Sequence, residues 1–209
     1  SLRKGLMEVK LLYSYRNEEA AQLGASYCVG KETPSVIGLE KALASGHYSL
    51  IEHLPLTWSV RGVSRALLAQ LSRHRHISLS VESQRYVAMD SPEWHVPECF
   101  QKDDEISRTY FGLLNLIKQT YSHFLKEGIK PEDARCILPN CTLTNLILSM
   151  NARAFVEICK LRLCLRAQKE IRDLFGLLRE SIKEIYPSVH ELCRPNCDAC
   201  TEISGCRFK

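Results

Sequence analysis

Alternating apolar and polar residues predict three strands. Residues 8–15 have the composition of an opening strand, and residues 54–60 place Leu54, Leu56, Trp58 and Val60 on one side. Residues 142–150 alternate in the same way and are apolar enough for both faces to be covered. A period of two is the pattern of a strand with at least one buried face. We therefore predict a half-buried strand at 54–60 and a largely buried one at 142–150.

Apolar residues at helical spacing, with start and stop signals, predict the helices. The predicted helices cover residues 18–28, 35–44, 64–75, 106–125, a segment capped by Asn151, and 167–186, with a turn or short helix at 131–134. Ser64 is the expected cap of the third, Gly128 stops the fourth, and Pro187 ends the last. We expect the helix at 106–125 to face the core, and the serine-rich stretch after residue 75 to be a loop.

Composition favours one well-cored domain. The chain has 209 residues, of which 45% are hydrophobic and 25% charged, as in ordinary globular proteins. The net charge of +4 is too mild for a general nucleic-acid binder, and the excess is local, at 73–85 and 153–172. No window approaches the roughly 18 apolar residues that span a bilayer, and no secretion signal is visible. We expect a soluble, cytoplasmic protein.

Ten cysteines divide into two groups. Six are scattered among apolar neighbours and are expected to be reduced, buried thiols. The other four, Cys193, Cys197, Cys200 and Cys206, form C-x3-C-x2-C-x5-C. Zinc binding, two disulfides and free thiols all remain open for them, and no other metal site is predicted. We predict a domain at 1–187 followed by a cysteine-rich tail at 188–209.

The segment RHRHISLSVESQRY, from Arg73 to Tyr86, has the chemistry of an anion site. Arginine forks match phosphate oxygens bidentately, and serine hydroxyls with free backbone N–H groups complete such a shell. These residue types suit a nucleotide better than a protein surface. An isolated RHR tripeptide would more simply be a solvated basic helix end.

The full pattern resembles the motif of the flavin-dependent thymidylate synthases, in which RHR is followed by seven residues, a serine and then Arg-Tyr. Four further segments match that family in order: GHYSLIEH at 46–53, Arg135 before an apolar-Pro step, Asn151-Ala152-Arg153 with Arg162 nine residues later, and AQKE at 167–170. The resemblance implies an α+β fold with a central, mostly antiparallel sheet flanked by long helices in a single domain. It also implies a homotetramer whose active sites are shared between subunits.

Residue roles follow from the resemblance, position by position. The implied flavin-site residues are His47, Ser49, Glu52, Arg73, His74, Arg75, Asn151, Arg153 and Glu157. The implied substrate residues are Gln70, Arg73, Ser83, Gln84, Arg85, Arg135 and Arg162. Arg162 is the implied catalytic residue, since it would face the uracil edge and stabilise developing negative charge there. Ser83 would bind rather than attack, because no histidine base is spaced to activate it.

The implied reaction is the reductive methylation of dUMP to dTMP. Side chains cannot supply a hydride, so a redox cofactor must. In this family FAD does so, with NADPH as reductant and methylenetetrahydrofolate as carbon donor. The Pro-Cys-His context of the cysteine nucleophile in other thymidylate synthases is absent from this sequence. We therefore predict no catalytic cysteine, and no nucleic-acid or membrane partner.

Three departures and two alternatives accompany this interpretation. The family often has Asn at Ser80, Glu at Val81 and Asn at Glu157, so side-chain contacts to the flavin are in question there. One alternative is a nucleic-acid-binding protein that uses the Arg/His cluster with the tail as a zinc knuckle, although aromatic residues for base stacking are sparse. The other is a relative that kept the fold and lost the reaction. Truncation after Tyr186 is expected to leave flavin binding intact.

Overall fold

The structure, a computed structural model, describes residues 7–86, 92–102 and 104–197, together with Cys200 and Cys206. Within these residues the strands are β1 (Glu8–Ser14), β2 (Pro55–Ser64), β3 (Ser78–Val81) and β4 (Leu143–Asn151). They form an antiparallel sheet in the order β1-β2-β4-β3. The α+β class and the mostly antiparallel sheet are therefore confirmed.

The helices in the same residues are α1 (Glu19–Tyr27), α2 (Val36–Ala44), α3 (Arg65–Leu71), α4 (Glu105–Lys126), α5 (Pro131–Ala134), α6 (Ala152–Arg162), α7 (Lys169–Ser181) and α8 (Pro187–Leu192). Short 3-10 helices lie at Tyr48–His53, Glu98–Phe100 and Arg135–Ile137. None of the helices described is both long enough and apolar enough to span a bilayer.

The chain divides into two compact units. The first contains Arg61–Ala69 and Ser80–Leu146 with the chain up to Glu8, and the second contains Val9–Val60, Gln70–Leu79 and the chain from Ile147 onward. β2 and β4 contribute residues to both units. The predicted boundary between 187 and 188 does not coincide with this division and stays a prediction.

Both sequence-predicted buried strands are confirmed. Along β2, Leu56, Trp58 and Val60 are buried and the residues between them are half-buried. Along β4, every second residue from Thr144 to Met150 is buried. Burial on one face fixes the register of such a strand, because a slip of one residue would turn every apolar side chain outward.

The caps predicted at Ser64 and Asn151 are confirmed, and Ser35, the predicted first residue of the second helix, also caps its helix. Ser35, Ser64 and Asn151 each accept a hydrogen bond from the backbone N–H three residues ahead, at 2.9 to 3.0 Å. These bonds satisfy N–H groups that have no partner inside the helix. Gly46 and Gly128 lie just beyond α2 and α4 with φ of 84° and 81°, a conformation that favours glycine.

Two predictions around the RHR segment are wrong. The helix that starts after Ser64 ends at Leu71, so Arg73, His74 and Arg75 follow it in a turn rather than continue it. The serine-rich stretch predicted as a loop contains β3, which pairs with β4. Serines carry little strand propensity, and here the strand depends on backbone pairing with a neighbour that is distant in sequence.

The helix predicted at 106–125 exists as α4, but it does not face the core along its length. Leu114 and Tyr121 are buried and several other apolar residues of the predicted face are half-buried, whereas Ile106 and Leu113 are more than half exposed. Helical spacing identifies an apolar face without showing that the same chain covers it. The expectation of a core-facing helix is therefore wrong at Ile106 and Leu113.

The last predicted helix, at 167–186, is shorter than expected, and a separate helix follows it. α7 ends at Ser181, and Pro187 begins α8 instead of ending α7, because proline is well suited to the first turn of a helix. The start of the predicted tail is packed: Val189, His190 and Cys193 are buried. The Cys193 thiol hydrogen-bonds with that of Cys159 on α6; burial, followed by this hydrogen bond, raises the pKa of Cys159.

An aromatic stack forms the centre of the second unit. The Trp58 ring on β2 lies 5.2 Å from that of Phe155 on α6, which lies 6.0 Å from Phe175 on α7. All three side chains are fully buried, and the Trp58 indole donates to the Ser181 hydroxyl at 2.8 Å. Strand and helices are thereby packed through one contiguous apolar cluster.

Glu18 joins the start of α1 to the start of α8. The side chain is 3% exposed and accepts a hydrogen bond from the Val189 N–H at 3.1 Å. Burial raises the pKa of Glu18, and hydrogen bonds from Ser188 and Val189 oppose this effect. The carboxylate therefore satisfies N–H groups of a helix start but loses hydration when charged.

We predict opposite effects for two substitutions of Glu18. Glu18→Ala should lower the free energy of unfolding by about 1–3 kcal/mol, because buried N–H groups lose their acceptor. Glu18→Gln keeps an acceptor without the charge. Because the pKa of Glu18 is raised in the folded protein, this carboxyl holds its proton to a higher pH there than in the unfolded chain. The free energy of unfolding of the wild type therefore falls as the pH rises from 4.5 through the raised pKa. Glu18→Gln does not titrate, so its stability relative to the wild type should increase over the same pH range.

Urea unfolding at pH 4.5 and at about pH 8 checks this, with the exposed neighbour Glu19→Gln as the matched control. The compared quantity is the free energy of unfolding of each variant minus that of the wild type. The prediction would be contradicted if this difference did not change with pH for Glu18→Gln, or changed in the same way for Glu19→Gln.

Candidate active site

A cavity of about 500 Å³ lies in the second unit. Its lining includes three predicted cofactor residues, Glu52, Arg75 and Asn151. The other lining residues are Tyr15, His53, Pro55, Leu56, Thr57, His76, Ile77, Ser78, Ser149 and Met150. The volume is in the range of small-molecule sites, and the wall mixes apolar surface with cationic, hydroxyl and amide groups. Such a wall can hold a large ligand that carries anionic groups.

An ion pair joins two predicted cofactor residues. Arg153, in the first turn of α6, donates through Nη1 to Oε1 of Glu52 in the 3-10 helix Tyr48–His53. Asn151 caps α6 with its side-chain oxygen, which leaves its NH₂ group available for other contacts. The start of α6 thus brings Glu52, Asn151 and Arg153 together.

The other six predicted cofactor residues do not line this cavity, and three of them lie at or near Tyr48 and Lys160. Glu157 on α6 pairs with Lys160 at 2.8 Å, and the Lys160 ammonium lies 5.1 Å from the ring centre of Tyr48. His47 and Ser49, which flank Tyr48, are exposed. At Glu157 the carboxylate is thus engaged by a lysine of its own helix.

Arg162, a predicted substrate residue, contacts His74, a predicted flavin residue. Arg162 Nε donates to His74 Nε2 at 2.9 Å, and Arg162 Nη2 donates to the Gln70 carbonyl oxygen at 3.1 Å. A guanidinium can only donate, so Nε2 of His74 must carry a lone pair and the ring is neutral in this arrangement. Burial, with the Arg162 charge as the second cause, lowers the pKa of His74.

Gln70, Arg73 and Gln168 complete this cluster. The Gln70 side-chain amide donates to the side-chain oxygen of Gln168, in the segment between α6 and α7. Burial, followed by repulsion from Arg73, lowers the pKa of Arg162. Two guanidinium groups that repel each other here create a local positive potential, which favours an anionic or electron-rich ligand.

The remaining predicted substrate residues belong to the first unit. Arg85 makes a hydrogen-bonded ion pair with Glu132 at 2.9 Å and lies over the Tyr86 ring at 5.4 Å. Arg135 Nε donates to the Glu132 carbonyl oxygen at 3.1 Å. Ser83 Oγ accepts from the Arg85 N–H at 3.2 Å. Glu132 thus holds the two arginines near each other.

Sequence reasoning missed several cavity residues and one partner. His53 and His76 each directly follow an assigned residue, so adjacency was an available signal. Thr57 and Ser149 come from the polar positions of β2 and β4, and they hydrogen-bond to each other at 2.9 Å. Gln168 lies within the AQKE segment but received no role. Their convergence needs the sheet, which no local pattern supplies.

Within the part of the chain that the structure describes, no group of three or more His, Cys, Asp or Glu side chains is arranged to hold a metal ion. Cys197 is half-buried and Cys200 exposed, and both thiols are free. Zinc, disulfide and thiol states of the tail cysteines thus stay open.

The comparisons with known proteins agree with the sequence resemblance. Residues 8–188 match the family model Thy1, thymidylate synthase complementing protein. A flavin-dependent thymidylate synthase from Clostridium tetani is 33% identical over 175 residues, which are 76% of this chain and 70% of that protein. The enzyme of the same name from Pyrococcus horikoshii is 37% identical over 160 residues, covering 73% of this chain and 66% of that protein.

A solved structure shares the fold. The UMP/dUMP methylase PolB from Streptomyces cacaoi, bound with 5-Br dUMP, superposes with a TM-score of 0.78 at 22% sequence identity, covering 89% of this chain and 94% of that one. The family match covers most of the residues described above, including every predicted site residue. The chain belongs to the family of the thymidylate synthase complementing protein.

We predict that His74 titrates below the ordinary histidine pKa of 6.5 and that Arg162→Ala raises its pKa toward that value. The substitution removes a nearby positive charge and opens the site to water, and both changes favour the protonated ring. As the pH falls below 6.5 the unfolded chain binds this proton more readily, so stability is lost on acidification.

NMR titration of the His74 ring measures this pKa directly in wild type and in Arg162→Ala. Arg61→Ala, which removes an exposed arginine on β2, is the matched control. An unchanged pKa in Arg162→Ala, or an equal rise in Arg61→Ala, would show that Arg162 does not control the ring.

Proposed function

We propose that the chain is a flavin-dependent thymidylate synthase, which converts dUMP to dTMP by reductive methylation. The observation that carries the proposal is the family match over residues 8–188, which contains the RHR motif and the arginines assigned with it. The relatives carry this enzyme's name, and PolB is described as a UMP/dUMP methylase. The proposal requires no cysteine nucleophile.

The groups that line the cavity support the assignment of a flavin nucleotide to it. Arg75 offers a guanidinium for phosphate oxygens, and Ser78 and Asn151 offer hydroxyl and amide groups for hydrogen bonding. His53 and His76 add aromatic rings at the same wall. FAD, when bound, supplies the hydride carrier that side chains cannot provide, with NADPH as reductant and methylenetetrahydrofolate as carbon donor.

Arg162 is the proposed catalytic residue. Its described hydrogen bonds go to a neutral imidazole and a carbonyl oxygen, so these partners orient the guanidinium without neutralising it. A preorganised positive charge at the pyrimidine edge would stabilise negative charge that develops on the ring. His74 and Gln70 would hold this charge in place. Arg73, Ser83, Gln84, Arg85 and Arg135 are the proposed residues for the rest of the nucleotide.

The proposal extends to an assembly and a location. A homotetramer with shared active sites and a cytoplasmic enzyme remain predictions from the resemblance. The comparisons give the nucleic-acid-binding alternative no support.

The visible spectrum of the purified protein tests the proposal. We expect a band near ~450 nm from bound flavin, bleached anaerobically by NADPH, and formation of dTMP when dUMP and methylenetetrahydrofolate are added. Absence of flavin after FAD is supplied would overturn the proposal. Flavin binding and bleaching without dTMP would instead identify a relative that has lost the reaction.

Arg162→Ala should lower kcat by about 10²–10³, because an electrostatic donor of the transition state is lost. Flavin content is measured alongside turnover, because Arg162 contacts His74, a predicted flavin residue. Single-turnover formation of dTMP by the flavin-loaded protein measures the chemical step, with Arg61→Ala as the control. Wild-type turnover in Arg162→Ala would remove the catalytic assignment.

A further inference from the structure

Glu82 makes three hydrogen bonds and directly precedes residues 83–85, the predicted substrate segment. It directly follows β3 and precedes Ser83. Its backbone N–H donates to the Asn145 carbonyl oxygen at 3.0 Å, and its own carbonyl accepts from Arg65 Nη2 at 2.8 Å. Its carboxylate accepts from Asn145 Nδ2 at 2.8 Å. Backbone and side chain are therefore both immobilised, on a segment that ends a short strand.

The orientation of the Asn145 side chain is determined by Gly62. The Gly62 N–H donates to Asn145 Oδ1 at 3.2 Å, and an N–H can only donate. The oxygen of the amide must therefore face Gly62, and its NH₂ group faces Glu82. Gly62 has φ of 71° within β2, a conformation that other residues rarely adopt. The backbone of β2 thereby directs the amide toward the carboxylate.

Arg65 is held at the first residue of α3. Its backbone N–H donates to the Thr142 carbonyl oxygen at 3.0 Å, while its guanidinium reaches the Glu82 carbonyl. Its Nε is buried without a hydrogen-bond partner in the described structure. Burial lowers the pKa of Arg65, and the positive charge of Arg135 lowers it further. The negative charge of Glu82 raises the pKa and so opposes both effects. A buried nitrogen without a hydrogen-bond partner costs free energy, and the Arg65 bond to the Glu82 carbonyl is made in spite of this cost.

We propose that Arg65, Glu82 and Asn145 form a clamp that positions residues 83–85 for nucleotide binding. This inference rests on the proposed function. In this proposal the three clamp residues are positioning residues; they hold the chain immediately before Ser83, whose hydroxyl in turn accepts from the Arg85 N–H. The family often has glutamate at Val81, whereas here the anchored carboxylate is supplied one position later, by Glu82.

The clamp predicts a defect in nucleotide affinity rather than in chemistry. In Asn145→Ala the Glu82 carboxylate loses its donor, while the two hydrogen bonds to the Glu82 backbone remain, so residues 83–85 lose the side-chain part of the clamp. We expect the dissociation constant and KM for dUMP to rise about tenfold or more, as for the loss of a hydrogen bond to a charged group. At saturating dUMP, kcat should stay within about threefold, because Arg162 is unchanged.

A graded series separates positioning from general destabilisation. Glu82→Gln keeps an acceptor for the Asn145 amide and should rescue dUMP affinity, whereas Glu82→Ala should lose it. Asn145→Asp replaces the donor with a second carboxylate, which repels that of Glu82, and it should lower dUMP affinity more than Asn145→Ala does. Asn115→Ala, at an exposed position of α4, is the matched control. Flavin content and thermal unfolding are measured for every variant.

Calorimetric titration of dUMP into the intact, flavin-loaded protein, with steady-state kinetics, decides the outcome. Weakened dUMP binding in Asn145→Ala and Glu82→Ala, with flavin retained and Glu82→Gln near wild type, supports the clamp. Unchanged dUMP affinity in both Ala variants overturns it and leaves the proposed function standing. A parallel loss of flavin and dUMP binding in both Ala variants also overturns it, since a structural role then suffices. Wild-type protein that binds flavin but not dUMP overturns both proposals.

Discussion

The packing of Trp58, Phe155 and Phe175 is the contact on which the candidate site of the second unit depends. Phe155 lies in the first turn of α6 and is enclosed by aromatic rings from β2 and α7. Once this side chain is buried, the axis and rotation of α6 are fixed, because a helix cannot turn without moving its buried face. Asn151 and Arg153 at one end of α6 and Arg162 at the other are therefore positioned by a residue that takes no part in binding.

Electrostatics divides the arginines that the sequence assigned to binding into two kinds. Arg153 and Arg85 are paired with carboxylates, at Glu52 and Glu132. Arg162 instead donates to a neutral ring and a carbonyl oxygen, and it is close enough to Arg73 to be destabilised by that charge. An exposed ion pair contributes little to stability and exchanges readily for a charged ligand, whereas an oriented but uncompensated guanidinium keeps its field for the ligand. The proposed catalytic role of Arg162 follows from this difference.

Local sequence signals succeeded where the responsible interaction is local or where a buried face repeats regularly. The caps at Ser35, Ser64 and Asn151 were predictable because a cap bonds to an N–H only three residues away. The alternation in β2 and β4 was predictable because the two faces of a strand have different environments. The same signals failed at β3, whose serines pair with a strand more than sixty residues away, and along α4, where apolar spacing does not show how much of a face the chain covers.

The sequence by itself determined the family, the class of fold and the residue types of an anion site, because the arginine, histidine and serine spacing is carried in short segments of the chain. Only the tertiary structure decided which of these residues meet. It brought Arg162 to His74, Arg153 to Glu52 and Asn145 to Glu82, across 88, 101 and 63 positions of sequence. The physical reason is that hydrogen bonds and ion pairs act over about 3 Å, so their partners are chosen by the packing of strands and helices, which no short segment specifies.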